Sequence, residues 1–490
     1  MHPPHMTTLD RRSHAREMRR MFSRFILECV FGGVMTNLVS GVFLIKLALE
    51  WGASPFHIGL LASLPFLGQL LQVPSVMLVG IFGTRKVFSC LGSLVHRLAI
   101  AGMAVVPWIG DPAKAMMWLI VLIAVREMGL GWAAGAWYGW MRDLVPPQLT
   151  GRLFGRRLNV FTLAGTLAAL AGGLLLDRME ALNQGWVLPT LSAYFALAAL
   201  CGVVSLWIWV TTPDAPLERA SARSMLQQLW EPLTDANFRR INALLLALLF
   251  AVNIAVPFFP AFMLKTMGMP AGYVIGIWAF GQLMQVPFFT WWGWVADKFS
   301  YTTALAACLP FFVVGMVLWP FVTLPEQHLL SLPLLILIHA LIGIGLAGVL
   351  LTAQVFAMKL APASKVTGYV ATTAMLSSVA AGIASIVGGL IAEQLYESRL
   401  SLSLVWQGAE THGELVAYAL SGYEFLFLIS AVLVLLASPL LAGIREPGKV
   451  PRQVVMRLMQ EKAVGMFRTG GTVPGLRYLI QFPLALLMKK

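Results

Sequence analysis

Long apolar runs, each about the length of a membrane-spanning helix, follow one another along most of this 490-residue chain. A spanning helix needs about 20 mostly apolar residues, and backbone exposed to lipid must be helical or part of a closed barrel. The pattern therefore predicts twelve spans. They cover residues 21–50, 55–82, 87–108, 114–142, 153–177, 187–211, 240–266, 272–296, 302–324, 330–358, 367–394 and 416–442.

The longest polar interruption between the runs divides the predicted spans six and six. This spacing predicts an all-α integral membrane protein with two six-helix bundles. The expected parts are a basic tail at 1–20, a first bundle at 21–211, a central loop at 212–239, a second bundle at 240–442 and a basic, amphipathic tail at 443–490.

The composition agrees with a membrane protein, because 58% of the residues are hydrophobic and only 12% are charged. Soluble domains carry about 25% charged residues. The four cysteines each lie within an apolar run, where cysteine behaves as a small hydrophobic residue. Their spacing indicates neither a disulfide framework nor a metal site, and no cofactor is expected.

Lysine and arginine are concentrated in one set of loops, which predicts the orientation, since short loops rich in these residues stay in the cytoplasm. Both tails and the central loop belong to the basic set, so both termini are expected on the cytoplasmic side of the cell membrane. This asymmetry accounts for the net charge of +13, and a nucleic-acid partner is not needed to explain it. Membrane lipids are the expected partners of the basic surfaces.

An internal repeat relates the two halves of the chain. The stretch GQLLQVP at 68–74 returns as GQLMQVP at 281–287, 213 positions later. At an offset of 216, GGLLLD at 172–177 matches GGLIAE at 388–393. Because each half has an even number of spans, the two copies keep one orientation and are expected to be pseudo-symmetric about an axis normal to the membrane.

With twelve spans, a basic central loop and a repeat, the chain resembles the major facilitator superfamily from about residue 21 to 442. The superfamily's cytoplasmic-loop signature is present as GWVADKFSYT, with Gly293, Asp297 and Lys298 matching and Ser300 in place of the second glycine. The resemblance implies two six-helix bundles around a central cavity, alternating access, and a gating role for this loop.

The first-half copy of the loop, GIFGTRK, retains Gly80 and Arg85 but has Thr84 at the acidic position, so gating is assigned chiefly to Asp297 and Lys298. After span 4, Asp143 and the basic Arg152 are further gating candidates; a simple positive-inside anchor explains them equally well.

Ionisable residues near mid-membrane cost at least about 2.5 kcal/mol by insertion scales, so they are candidates for function. Arg126 and Glu127 lie near the middle of span 4, and Arg97 lies in span 3. A pair between Glu127 and Arg97 is possible from their depths, and it would be either structural or part of coupling. In the resembled fold, span 4 lines the cavity, and the resemblance therefore makes Arg126 a candidate for proton coupling or for binding an anionic solute.

Uncharged polar side chains complete the candidate cavity, and we expect them to supply hydrogen bonds to a solute. They are Asn37, Gln69, Gln72, Asn253, Gln282, Gln285 and His339. The glutamine pairs are each followed by a proline, Pro74 or Pro287, where the helix is expected to bend because the ring removes a backbone donor. These glutamines either join helices or contact substrate, and His339 is expected to be a packing residue.

The favoured function is secondary active transport of a small polar solute by a monomeric carrier, with proton symport as the coupling hypothesis. A drug or metabolite exporter is the alternative within transport, and a non-transporting sensor or a lipid-handling protein is the alternative outside it. An enzyme is not expected. The GIGLAG stretch at 343–348 fits a dinucleotide pattern but lies within an apolar span with no preceding strand.

Overall fold

The computed structural model describes residues 8–145, 147–214, 230–324, 328–362, 366–407, 412–444 and 446. They divide into two compact units, residues 1–225 with 260–275, and residues 226–259 with 276–490. The helices as far as the central loop are α1 Thr8–Leu38, α2 Gly41–Glu50, α3 Pro55–Gln69, α4 Gln72–Phe82, α5 Arg85–Met103, α6 Pro112–Leu144, α7 Pro147–Leu182 and α8 Val187–Val210, with 3₁₀ turns at Val106–Trp108 and Gln184–Trp186.

After the central loop the chain is again mainly helical. Its α-helices are α9 Ala236–Asn253, a three-residue turn Phe259–Ala261, α10 Ala271–Lys298, α11 Tyr301–Val317, α12 Ser331–Leu360, α13 Val366–Leu395 and α14 Glu424–Ala437. Two strands, β1 Arg399–Gln407 and β2 His412–Ser421, lie between α13 and α14. The other short turns are the 3₁₀ segments Glu231–Thr234, Val256–Phe258, Trp319–Val322 and Ser438–Gly443 and the π-helix Phe262–Thr266.

The predicted membrane class is confirmed by the length and composition of these helices. Among the described residues, ten helices are long and apolar enough to cross a membrane, and α11 is a shorter apolar helix. The count of twelve spans remains a prediction. Helix α1 begins at Thr8, so it continues into the segment expected to be a tail. Most of the predicted C-terminal tail, residues 447–490, lies outside the described residues.

The first predicted span of each half is interrupted after an asparagine. Helix α1 stops at Leu38, and α2 starts at Gly41, whose φ of +57° is readily adopted only by glycine. Helix α9 stops at Asn253, 216 positions after Asn37. Both asparagines donate from Nδ2 to the carbonyl four residues earlier, at 3.0 Å for Asn37 and 2.8 Å for Asn253. The duplication therefore includes the break itself.

The two prolines of the repeated heptapeptide have different effects. In the first half the helix is interrupted at Leu70 and Leu71, and Leu70 carries the carbonyl that the missing N–H of Pro74 would have bonded. In the second half α10 runs unbroken through Pro287. The predicted bend thus becomes a break in one copy only.

The first glycine of each heptapeptide lies at a close contact between two helices. A Cβ on Gly131 would lie 2.0 Å from the Gly68 carbonyl oxygen, and a Cβ on Gly343 would lie 2.5 Å from the Gly281 carbonyl oxygen. Gly68 and Gly281 are the first residues of the two heptapeptides. Within each unit, this glycine therefore marks the place where one helix backbone touches another, a packing use of small residues common in membrane proteins.

A β-hairpin before the last helix is the largest departure from the expected elements. Strand β1 pairs antiparallel with β2 from Arg399 opposite Ser421 to Gln407 opposite His412. The twelfth span was expected to begin at residue 416, which lies within β2, and α14 begins only at Glu424. The apolar residues of β2 come directly before the helix, so they lengthen the apolar run at its N-terminal end.

Candidate functional site

A buried ion pair lies at the break in the first span. Arg126 and Glu127, adjacent on α6, are 6% and 4% exposed, and Arg126 Nε donates to Glu127 Oε1 at 2.8 Å while its Nη2 also contacts this oxygen. Arg126 Nη1 donates to the Val39 carbonyl at 2.6 Å. Val39 lies in the gap between α1 and α2, where the carbonyl is free of a helical partner. The pair therefore joins α6 to the unwound backbone.

The predicted pair between Glu127 and Arg97 is not formed, because Arg97 points toward α8. Its Nε donates to the Gly202 carbonyl at 2.6 Å, and its Nη2 donates to Ser205 Oγ at 2.7 Å. The similar depths of the two residues made the pair possible. The side chain of Arg97, however, leaves α5 on the face turned toward α8. A neighbouring residue, His96, connects α5 to α6 instead, with Nδ1 3.0 Å from the Arg126 carbonyl oxygen.

A second buried charge cluster surrounds Glu28, a residue not among the sequence candidates. Glu28 Oε2 accepts from Arg157 Nη2 at 2.9 Å, and Glu28 Oε1 accepts from Ser205 Oγ at 3.0 Å. Because Arg97 also donates to Ser205, the Glu28 carboxylate is linked to Arg157 of α7 directly and to Arg97 of α5 through Ser205 of α8. The cluster has two guanidinium groups and one carboxylate, so it is positively charged when all three groups are ionised.

Aromatic rings surround the guanidinium of Arg157. Its Cζ lies 4.8 Å from the ring centre of Trp137 and 5.4 Å from that of Trp209. Phe25 and Phe154 are each 5.9 Å away. Cation–π contacts contribute about 2 kcal/mol or more when desolvated, so the rings replace part of the lost hydration. Arg157 is thus a partly buried residue of α7, held between Glu28 and these rings.

The predicted uncharged polar residues fall into two groups. Asn37 and Asn253 serve the helix breaks, and a Cβ on Gly165 would lie 2.1 Å from Asn37 Nδ2, so Asn37 also packs closely on α7. The four glutamines have matching solvent exposure in the two copies. Gln69 and Gln282 are exposed, while Gln72 and Gln285 are partly buried.

His339 is a buried packing residue of α12. Its Nδ1 lies 2.9 Å from the Leu335 carbonyl oxygen, and its ring packs edge-on against Trp319 at 5.6 Å and Phe259 at 6.0 Å. Since a carbonyl only accepts, Nδ1 carries the proton in the neutral ring. Nε2 is buried and has no hydrogen-bond partner among the described residues.

In the first half, the predicted gating loop is held by carboxylates from outside the motif. Arg85 forms an ion pair with Asp143 at the end of α6, and Gly139 leaves room for it, because a Cβ there would lie 2.8 Å from Arg85 Nε. Thr84 Oγ1 donates to Asp214 Oδ2 at 3.2 Å. Gly80 is buried in α4, and the side chain of the other candidate in this region, Arg152, lies outside the described residues.

In the second half, the loop is held by Ser300 and by a residue that follows the last helix. Ser300, which replaces the signature's glycine, accepts from Thr303 N at 3.1 Å and so caps α11. Glu446 accepts from Tyr301 N at 2.8 Å and from Thr302 N at 3.1 Å.

The other predicted residues of this loop lie along α10. Gly293 is within the helix, Asp297 is exposed near its end, and Lys298 Nζ lies 5.2 Å from the ring centre of Trp294. A gating role for these residues remains a prediction.

We expect Glu446→Gln to lower the free energy of unfolding by about 1 kcal/mol, because a carboxylate at a helix N-terminus gains from charge-assisted hydrogen bonds and the helix dipole. Thermal unfolding of the purified protein in detergent measures the effect. Glu397→Gln, which removes an exposed carboxylate, is the control. Equal melting temperatures for the two variants would contradict the capping role.

Two signals in the sequence could have revealed the parts that were missed. Glu28 is a carboxylate within the first apolar run, which is itself a marker of function or of a buried partner. The offset of 216 from Asn37 to Asn253 marks the two helix breaks. Among the residues with described positions, no group of three or more His, Cys, Asp or Glu side chains is placed to hold a metal ion.

Comparisons with known proteins agree with this fold. The nucleoside transporter NupG, solved as a variant, has a TM-score of 0.63 at 12% identity over 87% of this chain and 100% of its own. A bacterial homologue of the iron transporter ferroportin gives 0.64 at 12% over 86% and 98%, and a D-xylose–proton symporter gives 0.61 at 14% over 89% and 100%.

No curated protein matches the sequence. The family model described as Major Facilitator Superfamily matches residues 25–388. A match over this much of the chain confirms the resemblance seen in the spans and the loop signature. The chain belongs to the major facilitator superfamily.

Proposed function

We propose that this protein is a secondary active transporter that moves a small polar solute by alternating access and uses protons as the coupling ion. The observation that carries the proposal is the Arg126–Glu127 pair joined to the Val39 carbonyl. Ionisable residues inside a membrane and interrupted helices both mark transport sites. The break in the helix frees a backbone acceptor, and the ion pair supplies a carboxylate that can take up a proton. A solute that enters can replace the hydrogen-bond partners of both groups.

The solved relatives support the class of solute and of coupling in this proposal. They include a nucleoside transporter and a D-xylose–proton symporter, so polar solutes and proton coupling both occur on this fold. The charged loops support a cell-membrane carrier with both termini in the cytoplasm, and the carrier is proposed to act as a monomer without enzymatic activity.

Glu127→Gln should abolish uphill accumulation in proteoliposomes driven by a pH gradient, while solute exchange persists. The amide keeps a hydrogen-bond acceptor for Arg126 but cannot release or take up a proton. The solute is first chosen by thermal stabilisation of the purified protein across sugars, nucleosides, peptides and carboxylates. Uptake of radiolabelled solute then measures accumulation and exchange separately.

Glu397→Gln, which changes an exposed carboxylate, is the matched control and should accumulate solute normally. Undiminished accumulation by Glu127→Gln would remove Glu127 from the coupling mechanism. Outward transport against the solute gradient would favour the exporter. Failure to transport any stabilising solute would favour the sensor or the lipid-handling protein.

A further inference from the structure

The hairpin between α13 and α14 starts and ends close to membrane-spanning helices. Strand β1 begins at Arg399, after α13 ends at Leu395, and β2 ends at Ser421, before α14 begins at Glu424. Both ends of the hairpin therefore lie at the same boundary of the membrane. At about 3.4 Å per residue, strands of nine or ten residues extend about 30 Å from that point.

The end of the hairpin nearest the helices is fixed by specific contacts. Glu424 Oε2 accepts from Ser421 N at 2.7 Å, and Glu424 Oε1 accepts from Thr323 Oγ1 at 2.9 Å. The ring of Tyr418 packs on Phe321 with centres 5.4 Å apart. Phe321 and Thr323 lie at the end of the span that contains α11. These contacts fix which face of the hairpin is turned toward the ends of the spans.

The face that makes these contacts continues outward as a row of exposed leucines. Directly opposed residues of an antiparallel pair project from one face, and alternate residues of a strand share a face. Leu400 opposes the buried Leu420, Leu402 opposes Tyr418, and Leu404 opposes Leu415 beyond the bulge. The exposed fractions of the three β1 leucines and of Leu415 are between 60% and 65%.

The other face of the hairpin carries the serines and the charged positions, together with Val405, Val416 and Ala419. Ser401 and Ser403 alternate with the leucines, and Arg399 lies on the same side as these serines. Glu414 opposes Val405, which also belongs to that side. By register, the positions of Arg399 and Glu414, the two formally charged residues of the strands, both belong to the serine side. The hairpin is therefore amphipathic. Its leucine face carries no formal charge and points in the same direction as the side chains of Tyr418 and Leu420.

The surfaces beside the hairpin are those of membrane-spanning helices. Leu390, five residues before the end of α13, is exposed, and so is Phe321, on which Tyr418 packs. Such apolar helix surfaces face lipid in a membrane protein. The leucine face of the hairpin begins beside this surface, at the ends of the helices.

We propose that the leucine face of the hairpin lies on the lipid surface on the side of the membrane where α13 ends. Amphipathic segments bind such surfaces with the apolar face buried about 5–10 Å into the boundary between headgroups and acyl chains. Because the leucine face carries no formal charge, apolar burial drives the contact and a zwitterionic bilayer suffices. The serine face, with Arg399 and Glu414, then faces water.

Neighbouring positions on opposite faces provide the test. The full chain, with its four native cysteines replaced by serine or alanine, carries Leu404→Cys or Ser403→Cys, labelled with a polarity-sensitive fluorophore and reconstituted in phosphatidylcholine vesicles. The label at 404 should be quenched at least about twofold more by lipids brominated near the headgroup, and about twofold less by aqueous iodide, than the label at 403. Leu402→Cys and Ser401→Cys give an independent pair.

Equal quenching of the two labels by iodide would overturn the proposal, because both faces would then be in water. A second copy of the chain on the leucine face gives a different result. The label at 404 would be protected from iodide without being quenched by brominated lipid, and self-quenching would rise with the number of proteins per vesicle. That outcome would also overturn the proposal and identify the hairpin as an interface between copies.

Discussion

Glu28→Leu should lower the free energy of unfolding by about 3–5 kcal/mol, the usual cost of removing one partner of a buried ion pair. The substitution leaves Arg157 without its carboxylate and Ser205 without its acceptor, where both side chains are largely removed from solvent. Arg157→Met should have a comparable effect, because it leaves Glu28 without its cation and removes the guanidinium from the surrounding aromatic rings.

The double variant Glu28→Leu with Arg157→Met should recover most of this loss, since an apolar pair of similar size often replaces a buried ion pair at little cost. Unfolding in detergent, followed by intrinsic tryptophan fluorescence, gives the four free energies of the cycle. A double variant whose loss equals the sum of the single losses would show that the two side chains act independently. Glu28→Gln, which can still accept from Ser205, provides a milder variant if Glu28→Leu does not fold.

Gly131→Ala should cost about 1–3 kcal/mol in unfolding free energy, because the added methyl group meets backbone rather than a side chain that can turn away. The Cβ would lie 2.0 Å from the Gly68 carbonyl oxygen and 2.7 Å from its carbon. Gly343→Ala should have a similar effect, with its Cβ 2.5 Å from the Gly281 carbonyl oxygen. Melting temperatures of the purified variants measure both changes.

Two other helical glycines provide the matched controls. Gly155 in α7 and Gly276 in α10 have no heavy atom within 4 Å of an added Cβ. Alanine at either position should leave stability unchanged or raise it by up to about 1 kcal/mol, because alanine favours the helix. A loss at Gly155 or Gly276 equal to that at Gly131 would contradict the close backbone contact as the cause.

The spans and the repeat were predictable because both are properties of the sequence order itself. Apolar length predicts a spanning helix, and equal offsets predict matched positions, as the Gly68 and Gly281 contacts confirm. The partner of Arg97 was not predictable in this way. Depth along a helix follows from residue counting, but the direction around the helix depends on how α5 packs on α8, which one sequence does not contain.

The pairing of Arg126 was missed for a related reason. Consecutive residues on a helix point about 100° apart, which argues against a common partner but not against a contact between their own long side chains. Similarly, the Leu-Ser-Leu-Ser-Leu alternation at 400–404 is a strand pattern. This stretch lies between the eleventh and twelfth expected spans, where the length of the apolar runs outweighed the alternation.

The carbonyl of Val39 already has a cation as its partner. Arg126 donates to this oxygen at 2.6 Å, so a positively charged ligand at the proposed site would have to share the oxygen with a guanidinium or displace it. A neutral or anionic solute that offers an acceptor would instead attract Arg126 away from Val39. If solute binds here, as proposed, the guanidinium therefore selects solutes by the sign of their charge.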